Sequence, residues 1–142
     1  MDAIAKTLSR NDAGETGAHQ AGLLIPQKPP LLSFFPALNV TTKNPRVHIQ
    51  FETPDGEELT FAFIYYNNKR FNEGTRNEYR LTRMTRFIRE AGLSAGDEVI
   101  FHRSSSGKYF VEYRRKNDPK GSSAGIGRTV LTLGSGWRTV KI

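Results

Sequence analysis

The chain has 142 residues, the length of a single domain, and its 21 Lys and Arg outnumber its 14 Asp and Glu, giving a formal net charge of +7. It contains no cysteine, which excludes disulfides, thiolate metal sites and cysteine nucleophiles. No apolar run approaches the roughly 18 residues of a membrane span, and the N-terminus lacks the apolar segment of a signal peptide. We therefore expect a cytoplasmic, basic globular domain, for which nucleic acid is the first partner to consider.

The first half of the chain alternates polar loops with short apolar segments. Residues 9–22 are rich in Ser, Asn, Asp, Thr and Gly, which is typical of a loop with tight turns. A short strand is predicted at 23–26, followed by a helix or turn at 31–38 that carries two phenylalanines into the core. Apolar residues then alternate along 46–51 and 59–65 around a Pro-Asp-Gly turn, which predicts a hairpin.

The second half begins with another polar loop, at 67–80. Apolar residues at helical spacing predict a short helix at 81–91, with a glycine at its C-terminal end. A second hairpin is predicted between 98 and 114, a flexible basic loop or tether at 114–128, and one or two last strands at 129–142. Many short strands with one or two short helices favour a mainly β barrel or sandwich.

The two polar loops contain side chains that suit the edges of bases. The first loop offers Ser9, Arg10, Asn11, Asp12, Thr16, His19 and Gln20, and the second offers Arg70, Arg76, Asn77, Glu78, Tyr79 and Arg80. Arginine can bond bidentately to guanine and asparagine to adenine, while a carboxylate accepts from the cytosine amino group. Glu78 either accepts from cytosine or orients a neighbouring arginine. The alternative is a solvated loop with local Arg–Glu pairs, each of little energetic value.

Three segments resemble known DNA-binding domains. LSRNDAGETGAHQAGLLIP at 8–26 and YYNNKRFNEGTRNEYRLTR at 65–83 resemble the amino-terminal DNA-binding domain of EcoRII-type restriction endonucleases. LSAGDEVIF at 93–101 is similar to the L-x-x-G-D-x-V-x-F stretch of plant B3 domains. The resemblance implies a B3-like open β-pseudobarrel of about seven strands with one or two short helices, whose core we place at 1–113.

The resemblance also implies that arms at about 9–20 and 67–80 embrace double-stranded DNA at a site like CCWGG, in which W is A or T. Base readout is implied for Asn11, Asp12, His19, Gln20, Arg70, Arg76, Asn77, Glu78 and Arg80. Backbone contacts are expected from Ser9, Arg10, Thr16, Lys69, Tyr79, Arg83 and Arg86. Gly74 and Tyr79 stand where the family pattern has lysines, which puts two backbone contacts in doubt.

Catalysis is not predicted for this chain. Pro54-Asp55 followed by Glu57-Glu58 superficially resembles a nuclease motif, but Thr60 stands where a lysine is needed, so a hairpin turn explains the segment better. His48 and His102 are expected to face solvent on their strands, and with His19 they show no metal-ligand spacing. No cofactor is expected for binding, and Mg²⁺ only for an attached nuclease domain.

Two other functions remain open at this point. The first is a β-barrel that binds single strands or RNA, which the small number of aromatic residues in the loops disfavours. The second is a small autonomous nuclease, which the missing metal cluster disfavours. The resemblance favours a recognition domain joined to a nuclease domain in a bacterial or archaeal cell, serving as its effector-binding or its specificity module. It also implies that one chain binds the DNA, because the two arms differ in chemistry.

Overall fold

A computed structural model describes residues 2–16, 22–117 and 128–141. The strands are β1 (Asp2–Thr7), β2 (Leu23–Ile25), β3 (Arg46–Glu52), β4 (Glu58–Tyr66), β5 (Glu78–Thr82), β6 (Glu98–Arg103), β7 (Tyr109–Arg114), β8 (Arg128–Gly134) and β9 (Trp137–Lys141). The helices are α1 (Pro29–Leu32), α2 (Thr85–Glu90) and a 3-10 turn at Asn68–Phe71. The predicted mainly β architecture with two short α-helices is confirmed.

All nine strands belong to one sheet, in the order β2-β5-β4-β3-β7-β6-β1-β9-β8. Neighbouring strands are antiparallel except β3 and β7, which are parallel. About seven strands were expected, and β1 and β5 are the two that were not predicted. Residues 3–6 of β1 are buried on both faces, so β1 lacks the alternation that marks a half-exposed strand. The sequence places the first three residues of β5 in the polar loop, because they are polar, and its last two in the predicted helix.

The sheet curls around one hydrophobic core until its two ends approach each other. Trp137 on β9 is only 1% exposed, and its Nε1–H donates to the carbonyl oxygen of Leu24 on β2 at 2.9 Å. These strands stand near opposite ends of the sheet order and do not pair. The barrel is therefore open, and a side chain rather than a strand ladder spans the gap.

The helix predicted at 81–91 begins later, at Thr85. Leu81 is fully buried, but it faces the core from β5, where it pairs with Phe63 and Leu23. Leu81 lies near the end of β5, but its distance along the chain from the apolar residues of α2 also fits helical spacing. The spacing therefore predicted a helix that starts too early. The glycine predicted at the helix end, Gly92, has φ +64 and donates its N–H to Arg89.

The segment predicted as a flexible tether at 114–128 begins with fixed residues. Arg114 is the last residue of β7, and Arg115 donates to the carbonyl oxygen of Gly92 at 3.0 Å. Lys116 donates through its backbone N–H to Asp97 at 3.0 Å. Residues 118–127 lie outside the described ranges. The last two strands continue the same sheet through β1, so the sheet extends beyond residue 113.

The solvent-facing orientation predicted for His102 is wrong. His102 is 8% exposed, and its Nε2 lies 2.6 Å from Oε2 of Glu112. It lies on β6, which is flanked by β1 and β7 and has four consecutive buried residues. His48, on β3, is exposed as predicted.

Candidate nucleic-acid interface

The N-terminal arm connects β1 to β2, and its described part is 9–16 together with Gly22. Its first turn is closed by reciprocal hydrogen bonds, in which Asp12 Oδ2 accepts from the Ser9 N–H at 2.9 Å and Ser9 Oγ accepts from the Asp12 N–H at 3.0 Å. The predicted base-reading residues His19 and Gln20 lie outside the described residues.

Asp12 is placed at the base of this arm. It is 8% exposed, and its Oδ2 also lies 3.3 Å from Nζ of Lys6. A carboxylate committed to a turn and to a buried ammonium group is a structural part of the arm, so the position of Asp12 argues against base readout. The other described candidates on this arm are exposed: Ser9, Arg10, Asn11 and Thr16. Thr16 Oγ1 donates to Asn11 Oδ1 at 3.0 Å.

The N-terminal arm is tied to the barrel near its middle and at its C-terminal end. Glu15 Oε2 accepts from the Ala95 N–H at 2.6 Å. At the C-terminal end, Gly22 has φ +77 and packs so closely on β5 that a Cβ would lie 2.1 Å from the Leu81 carbonyl oxygen. Arg80 Nη1 donates to the Gly22 carbonyl at 3.4 Å. The arm therefore returns to the sheet beside one of the predicted base-reading arginines.

The C-terminal arm is the connection from β4 to β5 at 67–77, since the last three residues of the predicted loop belong to β5. Its first residue, Asn67, is fully buried. Asn67 Nδ2 donates to the Thr42 carbonyl at 2.9 Å, and Asn67 Oδ1 accepts from the Asn44 N–H at 2.7 Å. The Lys69 N–H donates to the Arg76 carbonyl at 3.0 Å, which closes the base of the arm.

Two cations on this arm point to solvent. Lys69 and Arg70 are exposed, and neither side chain makes an ion pair or a hydrogen bond with any residue that the structure describes. Lys43 on the neighbouring loop instead pairs with Glu73. The exposed charges of Lys69 and Arg70 are available to phosphates.

Glu78 lies between two arginines at the start of β5. Arg76 Nε is 2.7 Å from Oε1 of Glu78, and Arg80 Nη2 is 3.3 Å from Oε2. The Arg76 guanidinium also lies over the Tyr66 ring, 3.7 Å from its centre. Partial burial raises the pKa of Glu78, but the hydrogen bonds and charges of Arg76 and Arg80 outweigh it, so this pKa lies below its ordinary value. Of the two roles predicted for Glu78, the geometry favours orienting its arginine neighbours.

Asn77 is held by residues that the sequence did not single out. Tyr65 donates its hydroxyl to Asn77 Oδ1 at 2.5 Å, and Gln27 Nε2 donates to the Asn77 carbonyl oxygen at 3.1 Å. The Tyr65 ring stacks on Tyr79 at 4.2 Å, and burial together with Tyr65 raises the pKa of the Tyr79 hydroxyl. Only the strand register that pairs Tyr65 with Tyr79 brings these rings together. Tyr79 is thus part of a stack that supports the arm.

Two of the predicted backbone contacts line an acidic groove. Arg83 and Arg86 line a groove of about 950 Å³. Five carboxylate residues share that groove: Asp55, Glu57, Glu58, Glu90 and Glu112. Arg83 follows Thr82, which pairs with Ala62, five residues before the first residue of the C-terminal arm and therefore about 17 Å from it. Arg86 pairs with Glu90 at 3.1 Å. Their surroundings do not favour phosphate.

The segment that superficially resembled a nuclease motif is a hairpin turn. The Thr53 N–H donates to the Glu57 carbonyl at 2.8 Å, and the Gly56 N–H donates to the Thr53 carbonyl at 3.0 Å. Within the described ranges, no group of three or more His, Asp or Glu residues could hold a metal ion. In the same ranges, no helix is long and apolar enough to cross a membrane.

The fold is that of B3 domains. A solved structure titled as an Arabidopsis FUS3–DNA complex superposes with a TM-score of 0.60, covering 78% of this chain and 94% of that one, at 23% identity. A protein from Arabidopsis thaliana that contains a B3 domain, At2g36080, is 36% identical over 76 residues, which are 51% of this chain and 28% of that protein.

Residues 2–95 match the family model of the N-terminal domain of restriction endonuclease EcoRII. The chain belongs to this family, as the sequence motifs predicted. The type II restriction enzyme EcoRII of Escherichia coli is 43% identical over 84 residues, which are 55% of this chain but 20% of that enzyme. The chain is a domain of the EcoRII and B3 DNA-binding type, and its matches span 20% and 28% of the length of these two relatives.

Proposed function

We propose that this chain binds double-stranded DNA at a CCWGG-like site, as the target- or effector-recognition domain of a type II restriction endonuclease. The observation that carries the proposal is the group Arg76–Glu78–Arg80 at the base of an arm. Its two guanidinium groups are held by one carboxylate, at 2.7 and 3.3 Å. Guanidinium forks in fixed orientation suit the O6 and N7 acceptors of guanine.

The two arms offer different chemistry to the two halves of such a site. The described part of the N-terminal arm exposes the neutral groups of Ser9, Asn11 and Thr16 alongside Arg10. The C-terminal arm exposes Lys69 and Arg70, and the half-buried arginine group lies at its base. A dimeric protein usually matches a palindromic site with its own twofold axis, whereas two unlike arms let one chain grip both halves. We therefore propose one chain per duplex.

The chain's place in a longer protein follows from the same proposal. A recognition domain contributes binding, and cleavage requires a nuclease domain with its own Mg²⁺, covalently joined to this one. We propose this arrangement in a bacterial or archaeal cytoplasm, consistent with the bacterial relative.

Competition binding tests the proposal directly. A labelled CCWGG duplex is displaced by unlabelled CCWGG duplex, scrambled duplex, single strands or RNA, with and without Mg²⁺. The CCWGG duplex should compete best, and the labelled DNA should stay intact. Single strands or RNA competing better would support the alternative β-barrel function, and Mg²⁺-dependent cleavage would show an autonomous nuclease.

The Arg76→Ala variant tests the site itself. We expect it to weaken binding to CCWGG by about 1–3 kcal/mol and to scrambled DNA by less, because a base contact contributes mainly to the cognate complex. Arg89→Ala is the matched control, since Arg89 is exposed on α2 and its side chain bonds no described residue. If Arg76→Ala and Arg89→Ala lose the same binding free energy on CCWGG, Arg76 contributes only a general positive charge.

Sedimentation on a short CCWGG duplex tests the stoichiometry. The complex should contain one chain per duplex, because each arm supplies only half of the contacts. Two chains on one site would contradict the two-armed monomer while leaving DNA binding intact.

A further inference from the structure

The side chain of Asn77 is fixed in one orientation by two neighbouring side chains, Gln27 and Tyr65. Gln27 Nε2 lies 3.1 Å from the backbone carbonyl oxygen of Asn77. A carbonyl oxygen only accepts, so the Gln27 atom beside it is the amide nitrogen. That nitrogen is also 3.5 Å from Oδ1 of Asn77, and the Tyr65 hydroxyl lies 2.5 Å from the same Oδ1. The Tyr65 hydroxyl can donate or accept, whereas the Gln27 amide nitrogen can only donate, so the contact with Gln27 identifies the shared side-chain atom as the oxygen.

In this orientation, the Asn77 side chain has only hydrogen-bond donors left to offer a ligand. An amide oxygen has two acceptor sites, and the Tyr65 hydroxyl and the Gln27 amide face both of them. The Nδ2 group keeps its two N–H donors and has no acceptor among the described residues. Asn77 is exposed, so these donors face the solvent beside the arginine group of the arm.

We propose that Asn77 is a specificity-determining residue that donates to the N7 and O6 acceptors of a guanine. The proposal rests on the proposed function and names the base that this residue contacts. The residue type alone suggested adenine, but bidentate contact with adenine needs Oδ1 to accept from the adenine amino group. Here Oδ1 is already engaged, whereas two N–H groups match the two adjacent acceptors of guanine.

Tyr65 and Gln27 are positioning residues in this arrangement. The Tyr65 ring is nearly parallel to the Tyr79 ring, at 4.2 Å and 4°, and Tyr79 stacks in turn on the buried Phe63 at 5.6 Å. This stack connects the hydroxyl that fixes Asn77 to the core of the barrel. Replacing Tyr65 with phenylalanine keeps the stack and removes only the hydroxyl.

Base analogues test the guanine contact. Each guanine of the CCWGG duplex is replaced in turn by 7-deazaguanine, which lacks N7, or by 2-aminopurine, which lacks O6. At one of the guanines, each analogue should weaken binding by the wild-type chain, and this loss of affinity should be about tenfold larger than the loss for the Asn77→Ala variant. Equal sensitivity of the two proteins at every guanine would overturn the proposal.

Tyr65→Phe tests the positioning role. With the oxygen released, the amide can turn, so the preference for guanine over adenine at the coupled position should fall about fivefold or more. Tyr66→Phe is the matched control, because its hydroxyl bonds no described residue and its ring still faces Arg76. An unchanged preference in Tyr65→Phe would contradict the positioning role.

These experiments separate the two levels of the proposal. If wild-type protein does not prefer CCWGG over scrambled duplex, the proposed function fails. If that preference is present but no guanine couples to Asn77, only the guanine assignment fails.

Discussion

At the scale of single residues, Glu78 shows how a negative charge can serve a DNA-binding surface. Its carboxylate costs some repulsion from phosphates, yet its two oxygens engage Arg76 and Arg80 at 2.7 and 3.3 Å. An unpaired arginine side chain has many rotamers, and fixing it on DNA costs conformational entropy. Holding both guanidinium groups before binding removes part of that cost.

This arrangement predicts a dependence on pH. Because the pKa of Glu78 is lowered in the folded chain, its contribution to stability is present above the ordinary pKa of a glutamate and is lost as the pH falls through the lowered value. The difference in free energy of unfolding between wild type and Glu78→Gln should therefore shrink between about pH 5 and pH 3. Urea unfolding at several pH values measures it.

The control for this series is Glu57→Gln, which removes an exposed carboxylate whose side chain bonds no described residue. A difference between wild type and Glu78→Gln that stays constant down to pH 3 would contradict the prediction.

At the scale of elements, the arms are defined by how their ends meet the sheet. Buried Asn67 fastens one arm to the 40–44 loop, and Gly22 lets the other pass close against β5. At Gly22 two requirements coincide, a positive φ and the absence of a side chain. The position of the N-terminal arm thus depends on Gly22, because any residue with a side chain would clash with β5 there.

A pair of glycine substitutions separates these two requirements. Gly22 has φ +77 and a Cβ would meet the Leu81 carbonyl, whereas Gly56 has φ +87 and nothing within 4 Å. We expect Gly56→Ala to cost about 1–2 kcal/mol, the penalty of the left-handed conformation alone. Gly22→Ala should cost about 1–3 kcal/mol more because of the clash. Equal midpoints in urea unfolding would contradict the close approach.

Elements with regular alternation or a clear turn signal could be predicted from the sequence. Apolar residues alternate along the β3–β4 hairpin, and a Ser- and Gly-containing turn marks the β6–β7 hairpin, although β6 is itself buried on both faces; the structure has both hairpins. The strand β1 is buried on both faces and carries no such signal. The family motifs indicated the arms, but the inward carboxylate of Asp12 depends on Lys6, and the support of Asn77 depends on the register of β4 and β5.

At the scale of the whole molecule, charge is distributed unevenly among the described residues. Lys69 and Arg70 are exposed on the C-terminal arm and the half-buried arginine group lies at its base, whereas the groove beside α2 contains five carboxylate residues and two arginines. We expect such a field to attract DNA to the arms and to repel it from the groove.

The salt dependence of binding tests this distribution of charge. Lys69→Ala and Arg70→Ala should each lower the slope of log K against log salt by about 0.9, the value for one lost phosphate contact. Arg83→Ala should leave the slope unchanged, contrary to the backbone contact expected from its sequence position, because Arg83 lines the acidic groove. A lowered slope in Arg83→Ala would bring the groove into the DNA interface.

The indole of Trp137, which spans the open side of the barrel, makes the fluorescence of the protein sensitive to this gap. Trp137 is the chain's single tryptophan, and its hydrogen bond to Leu24 joins β9 to the strand on which the N-terminal arm ends. Its fluorescence therefore reports from one known position whether the gap between β2 and β9 is closed. If the emission maximum of Trp137 does not shift when DNA is added, the gap stays closed and the barrel keeps its shape on DNA. If the maximum shifts to the red, the gap between β2 and β9 opens when DNA binds.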